Sequence, residues 1–251
     1  TGGAAILLDG RTGETLALAS WPTFNPNEIR RSSENTRRDR VAGDLHELGS
    51  TIKPFTVAMA LQEELTTSGE LFDLSQPLEL DNTIIADHEP ITGYATLRDI
   101  LARSSNVGAA RLAIRLGGAR QRSYLERLGL TQPTTLQLGR RQPPLAPAAQ
   151  TRRDIAALGF GYGLATTQAT LASAYRTAVY GARVVDAGPP VDLSGICGAS
   201  APGSAPPTPT ALTFDLQTFA ETPARDIAWI WPDVLPRGML ALLGGKQGLG
   251  K

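Results

Sequence analysis

The sequence predicts an α/β (α+β) fold in which an antiparallel sheet packs with a series of helices. Three observations predict it. The first is a hairpin signature at the start: Ala4-Ala5-Ile6-Leu7-Leu8 is an apolar run, Asp9-Gly10-Arg11-Thr12-Gly13 supplies turn chemistry, and Thr15-Leu16-Ala17-Leu18-Ala19 returns. The second is a succession of helical patterns between residues 50 and 180, each bounded by caps or glycines. The third is a strand-like run, Met239-Leu240-Ala241-Leu242-Leu243, close to the end of the 251 residues.

After the hairpin, residues 21–44 are polar, rich in Arg and Asn and without a sustained period, and read as a surface loop. Ser50 to Leu65 reads as a helix, with Pro54 tolerated in the first turn. The apolar Phe55, Val57, Met59 and Leu61 suggest that it is buried. Thr96-Leu97-Arg98-Asp99 resembles a capping box ahead of Ile100 and Leu101. Val107 to Leu116 is a second helix, stopped by Gly117-Gly118, and Ser123 to Leu128 another, closed by Gly129. Thr166 to Tyr180 is longer, with Leu171, Ala174, Tyr175 and Ala178 on one side. Residues 187–210 hold six prolines and four glycines with little to bury, and read as a linker.

Composition narrows the function classes. Apolar residues make up 41%, enough for a sizeable core. The 24 basic and 24 acidic side chains cancel, so charge provides no footprint for nucleic acid or an anionic membrane. Cys197 is alone, which excludes an internal disulfide or a CxxC clip. His46 and His88 lie far apart without metal-ligand spacing and read as solvated or hydrogen-bonded. No apolar run approaches the ~20 residues of a membrane-spanning helix, and no signal peptide opens the chain. The first residue is Thr1 rather than methionine, which leaves room for an anchor upstream.

Chemistry enters with Ser50-Thr51-Ile52-Lys53. A hydroxyl and an amine three residues apart on a helix project from one face and come within hydrogen-bond reach. A serine hydroxyl is a poor nucleophile until a base takes its proton, and a desolvated lysine can be that base. At the helix start Ser50 also meets free backbone N–H groups and the positive end of the macrodipole. The bland alternative is an N-cap serine beside a solvated lysine. Ser104-Ser105-Asn106 lies between two expected helices and offers a hydroxyl to relay a proton and an amide to hold a carbonyl or the lysine. Its bland alternative is a loop whose Ser and Asn cap helices.

Taken together, these segments resemble the class B penicillin-binding proteins, the division-type monofunctional enzymes in particular. Glu47-Leu48-Gly49-Ser50-Thr51-Ile52-Lys53-Pro54-Phe55 looks like their active-site segment, and Ser104-Ser105-Asn106-Val107-Gly108 like their second motif. Gly3 to Asp9 with Thr12 to Ser20 resembles their first two strands, and Phe24-Asn25-Pro26-Asn27 the usual continuation. Gly159-Phe160-Gly161-Tyr162-Gly163 with Thr167-Gln168 resembles the turn and helix before their third motif. The resemblance runs over residues 3–186 and implies the fold shared with serine β-lactamases. It implies a D-alanyl-D-alanine transpeptidase with Ser50 as nucleophile, Lys53 as base, and Ser104 and Asn106 as relay and positioning groups. Peptidoglycan stem peptides and β-lactams would be its ligands, glycosyltransferases and other division proteins its partners, and the extracytoplasmic face of the inner membrane its place. No cofactor is implied. A class A β-lactamase is the nearest competitor, but such enzymes carry Ser-Asp-Asn where this chain has Ser105 in the middle, and no Glu-x-x-Leu-Asn segment is found.

The family's third motif, Lys-Thr/Ser-Gly on an edge strand, is absent after residue 186. The expected consequence is an incomplete sheet with an open edge and impaired catalysis. The tail differs in kind. Gly245-Lys246-Gln247-Gly248-Leu249-Gly250-Lys251 fits G-x-x-x-x-G-K after an expected strand and resembles the entry to a RecA-like ATPase, with Gly245, Gly250 and Lys251 as phosphate-binding residues and ATP as ligand. A glycine-rich terminus is the bland alternative. The organisation expected is therefore a partial transpeptidase domain (1–186), a linker (187–210) and the start of a P-loop segment (211–251), in a truncated and chimeric frame. A silent β-lactam-binding sensor or scaffold and a nucleotide-binding fragment stand as alternatives to the enzyme.

Overall fold

The computed structural model describes residues 2–10, 12–134, 142–146, 151–180, 229–231, 235–236 and 239–244. The hairpin forms as expected from β1 (Gly3–Asp9) and β2 (Thr15–Trp21). The Asp9 carboxylate accepts from the Thr12 N–H at 2.6 Å, and the Asp9 N–H donates to the Glu14 carbonyl at 2.8 Å. The turn is thus closed by the short polar side chain placed there.

Residues 21–44, expected as loop, instead carry a 3-10 helix (Pro26–Arg31) and the four-residue helices α1 (Glu34–Arg37) and α2 (Arg40–Gly43). Each starts on its own cap, Asn25, Ser33 or Asp39, whose side-chain oxygen takes a backbone N–H. One turn per cap is too short to show a helical period, which is why the pattern concealed them.

Next come β3 (His46–Glu47) and α3 (Lys53–Gln62), preceded by a 3-10 turn at Gly49–Ile52. Four short strands follow, β4 (Phe72–Asp73), β5 (Leu78–Leu80), β6 (Thr83–Ile85) and β7 (Tyr94–Ala95), paired β4 with β7 and β5 with β6. Then α4 (Leu97–Ala102) begins on the Thr96–Asp99 capping box and α5 (Asn106–Leu116) runs to Gly117. Helix α6 spans Gly118–Arg127, starting five residues earlier than the sequence pattern indicates. Gly117, at φ +78°, is at once the C-cap of α5 and the N-cap of α6, so Gly118 begins a helix rather than extending a stop. The unit continues with α7 (Arg152–Gly159), β8 (Ala165–Thr166) and α8 (Gln168–Tyr180). On α8, Leu171 and Ala174 are buried as expected, but Ala178 is exposed and Arg176 is buried instead.

Three strands lie in the C-terminal part: β9 (Trp229–Trp231), β10 (Leu235–Pro236) and β11 (Met239–Gly244). Contacts divide the chain into residues 1–187 with 238–251, and residues 188–237. Among the described residues of the latter, β9 and β10 form an antiparallel pair. In the former, β11 pairs antiparallel with β1 from Ala4↔Gly244 to Asp9↔Met239, giving the sheet order β11-β1-β2. Both edges of β1 are therefore occupied. Among the described residues the sheet ends at β2 and β11.

The core that positions the site gathers Leu48, Ile52, Phe55 and Met59 from the α3 segment with leucines of α5, α6 and α7 and with Leu171 and Ala174 of α8. Burying an aliphatic side chain contributes about 1.5–3 kcal/mol. The chain thus clamps the start of α3 from several helices at once. Leu61, counted with this face in the sequence, is 36% exposed and lies outside it.

Candidate active site

Ser50 stands in the 3-10 turn that leads into α3, and two backbone bonds fix that turn. The Leu48 N–H reaches the Leu164 carbonyl at 3.4 Å, and the Gly49 N–H reaches the Gly161 carbonyl at 3.0 Å. Just upstream, β3 pairs with β8, His46 opposite Thr166 and Glu47 opposite Ala165. The approach of the Gly159–Gly163 turn is so close that a Cβ on Gly161, whose φ is +106°, would lie 1.9 Å from the Gly49 carbonyl oxygen. Only glycine fits. From the other side, the Tyr175 hydroxyl donates to the Thr51 carbonyl at 2.6 Å, and its ring packs 4.5 Å from Phe55. Burial pushes the Tyr175 phenol well above its ordinary pKa, so it stays a neutral donor.

Ser104 lies just past the end of α4, in a Schellman motif. The Ser105 N–H donates to the Ile100 carbonyl at 2.9 Å and the Ser104 N–H to the Leu101 carbonyl at 3.1 Å, with Ser104 at φ +54°. Glycine ordinarily fills that left-handed position. A serine there costs on the order of 1–3 kcal/mol unless its surroundings hold it. The capping expected as a bland alternative is present, but it belongs to Ser105, whose Oγ accepts from the Gly108 N–H at 2.9 Å. Ser104 and Asn106 face the other way, toward Lys53.

Lys53 joins the two halves. Its Nζ donates to Ser50 Oγ at 3.2 Å, Ser104 Oγ at 2.9 Å and Asn106 Oδ1 at 2.7 Å, and also contacts the Ser104 carbonyl. Ser104 Oγ in turn donates to Ser50 Oγ at 2.9 Å. The two hydroxyls and the amine thus form a closed triangle. Asn106 is oriented by its Nδ2, which donates to the Ala86 carbonyl at 3.2 Å, leaving Oδ1 on the lysine. Lys53 is 2% exposed, whereas Ser50 opens to solvent. The solvated-lysine alternative is therefore excluded, and no side-chain bond caps the Ser50 turn.

A buried amine within hydrogen-bond reach of an exposed hydroxyl is the geometry of a base beside a nucleophile. Two hydrogen-bonded paths join Ser50 Oγ to Lys53 Nζ, one direct and one through Ser104 Oγ. The Ser50 N–H sits in the first turn, where intrahelical acceptors are missing.

The structure brings Ser50, Lys53, Ser104 and Asn106 together. Gly245, Gly250 and Lys251 lie outside the described residues, as do Cys197 and residues 187–210. His46 and His88 are exposed, and His46 lies on β3 four residues before Ser50. Among the described residues no group of acidic, Cys or His side chains is placed to hold a metal ion. Sequence reading missed Asp87, whose carboxylate holds the start of α5, and the contact of Tyr175 with the nucleophile turn. Asp87 is 18 residues from Ser105, beyond the reach of any local pattern.

Residues 3–186 match the family model described as penicillin binding protein transpeptidase domain. The probable peptidoglycan D,D-transpeptidase FtsI of Caulobacter vibrioides is 33% identical over 180 residues, which cover 72% of this chain and 31% of that protein. The peptidoglycan D,D-transpeptidase FtsI of Escherichia coli K12 is 35% identical over 179 residues, 70% of this chain and 30% of that one. The chain thus spans about a third of the length of the curated relatives it matches. Among solved structures, a peptidoglycan glycosyltransferase from Burkholderia ambifaria aligns with a TM-score of 0.62 at 30% identity, over 70% of this chain and 52% of that one. The transpeptidase domain of Burkholderia pseudomallei penicillin-binding protein 3, an apo structure, aligns with the same TM-score at 29% identity, over 70% and 50%. With its paired serines and buried lysine inside the matched segment, the chain belongs to the penicillin-binding protein transpeptidase family, in its class B branch.

Proposed function

We propose that the chain is a peptidoglycan D,D-transpeptidase acting through an acyl-serine at Ser50. The observation that carries this reading is the Lys53 amine, buried and shared between the Ser50 and Ser104 hydroxyls and the Asn106 amide. In its neutral form Lys53 takes the Ser50 proton, directly or through Ser104. Ser50 Oγ then bonds to the penultimate D-Ala carbonyl carbon of a stem peptide, and the negative charge forms opposite the Ser50 N–H. The C–N bond to the terminal D-Ala breaks, and the proton passes to that nitrogen. An amine of a second stem peptide attacks the ester, loses a proton to the same base and returns Ser50 to its hydroxyl. In a β-lactam the broken C–N bond lies in the ring, so the leaving nitrogen stays tethered and the acyl-enzyme persists. This acyl transfer uses no cofactor.

Relatives named peptidoglycan D,D-transpeptidases support the substrate class. By that kinship we place the site on the extracytoplasmic side of the inner membrane, working with glycosyltransferases and other division proteins. Among the described residues no helix is long and apolar enough to cross a membrane.

A second reading, β-lactam binding without turnover, is favoured by one observation: no Lys-Thr-Gly or Lys-Ser-Gly follows residue 186. Incubation with a fluorescent penicillin followed by intact mass should show one adduct on Ser50 and none in Ser50→Ala. Labelling that survives in Ser50→Ala would overturn the site. An adduct without D-Ala exchange on a model dipeptide would favour the second reading.

A further inference from the structure

We infer that Asp87 is a positioning residue for the Lys53 centre, an assignment that rests on the reading of Ser50 and Lys53 just given. Its carboxylate meets three donors at the junction between Ser105 and α5. Oδ2 accepts from Ser105 Oγ at 2.7 Å, and Oδ1 accepts from the Val107 N–H at 2.9 Å and from the Asn106 N–H. Both neighbours of Ser105 are ligands of the lysine, Ser104 on one side and Asn106 on the other. The carboxylate therefore grips the one residue between them and the backbone of the second. A negative group at this end of α5 also meets the positive end of the helix macrodipole.

Ser104 needs such a grip. Its backbone is in the left-handed region, where a residue with a Cβ persists only when surrounding bonds over-determine it. Asp87 supplies three of those bonds from outside the segment. Its neighbour supplies another, since the Ala86 carbonyl takes the Asn106 Nδ2 and so aims Oδ1 at Lys53. The loop at 86–87 thus sets both the backbone and the amide orientation of the lysine's partners, without itself touching Ser50 or Lys53 in any bond described above. The expected role is to hold the Lys53–Ser104–Asn106 distances, on which proton transfer depends.

The test compares Asp87→Asn with Asp154→Asn in the full chain. Asp154 caps α7 through Thr151, so its loss is a matched capping defect outside the bonds of Lys53. Lys53 is one of three lysines in the chain, so its side chain can be followed by NMR after 13C-lysine labelling. In Asp87→Asn the limiting acylation rate with penicillin should fall about 10–100-fold, with the pre-acylation dissociation constant changed less than about twofold. The Lys53 titration should move by about half a pH unit or more, while Asp154→Asn leaves rate and titration in place. If Asp87→Asn behaves like Asp154→Asn in both readouts, Asp87 is a helix cap only and the inference falls. If Asp87→Asn does not fold, Ser105→Ala, which removes one of the three bonds, must shift the Lys53 titration in the same direction by a smaller amount. No shift there also overturns the inference. A wild-type chain that never acylates defeats the transpeptidase reading alone, because the Lys53 titration still decides the role of Asp87.

Discussion

Ser50 stands at the start of one helix and Ser104 just past the end of another, and different demands shape the chain around each. Around Ser50, glycine is used wherever backbone must approach backbone: Gly49 at φ +51° and Gly161 at φ +106° let two turns meet through a direct N–H to carbonyl bond. Around Ser104 the opposite holds. The position after α4 has the backbone geometry that favours glycine, and the chain places a serine there. The first half needs space and takes it by omitting a side chain. The second needs a hydroxyl against Lys53 and accepts a strained backbone to keep it. Stability and function thus point the same way at the nucleophile turn and in opposite ways at the second serine.

The strongest way to break this contrast is Gly161→Ala. The new Cβ meets the Gly49 carbonyl oxygen at 1.9 Å on a positive-φ backbone, so backbone rather than a flexible side chain must move. A loss of about 3–5 kcal/mol in urea unfolding is expected, with penicillin labelling abolished. A variant of unchanged stability would show that the two turns do not depend on this contact.

Ser104→Gly sharpens the contrast from the other side. It should gain about 1 kcal/mol, seen as a rise in Tm of roughly 2–4 °C, while acylation drops about 10²-fold for want of the relay hydroxyl. A variant that loses both stability and activity would remove strain from the account of this position.

Thr96→Ala gives the smallest effect and the converse pattern. Thr96 and Asp99 form the box at the start of α4, the helix that ends at Ser104. Its loss should cost about 1 kcal/mol and leave labelling nearly unchanged. The side-chain hydrogen bond from Thr96, and next its backbone N–H, hold the Asp99 carboxyl below the usual carboxylate range. A depressed folded value means that this stabilisation is fully present above the unfolded value of about 3.9 and fades as pH falls through the folded one. The gap between wild type and Thr96→Ala should therefore close in acid. A gap that widens below pH 4 would contradict the assignment.

Much of this was legible along the chain because it is written at short range. The Asp9–Gly13 turn, the Thr96–Asp99 box, the glycine at the end of α5 and the Ser50–Lys53 spacing are each contained within a few residues, and each appears where local chemistry puts it. The short helices of residues 21–44 and the early start of α6 were not legible, since single turns show no period and Gly117 serves two helices at once. Asp87 carried no signal, and Tyr175 showed only as one residue along the side of its helix, because their partners are 18 and 124 residues away.

By itself the sequence determined which groups are available: two serines, one lysine between them in role, an asparagine, and glycines in the loops. Spacing along a helix put Ser50 and Lys53 on one face, and nothing further was needed for that pair. Only the tertiary structure decided that Lys53 is buried, that Ser104 sits in a left-handed helix end facing it, and that a carboxylate from a separate loop holds that end in place. The reason is physical. Periodicity and capping act over one or two turns, whereas desolvation, close backbone approach and the bracing of a strained residue arise only when distant segments pack together.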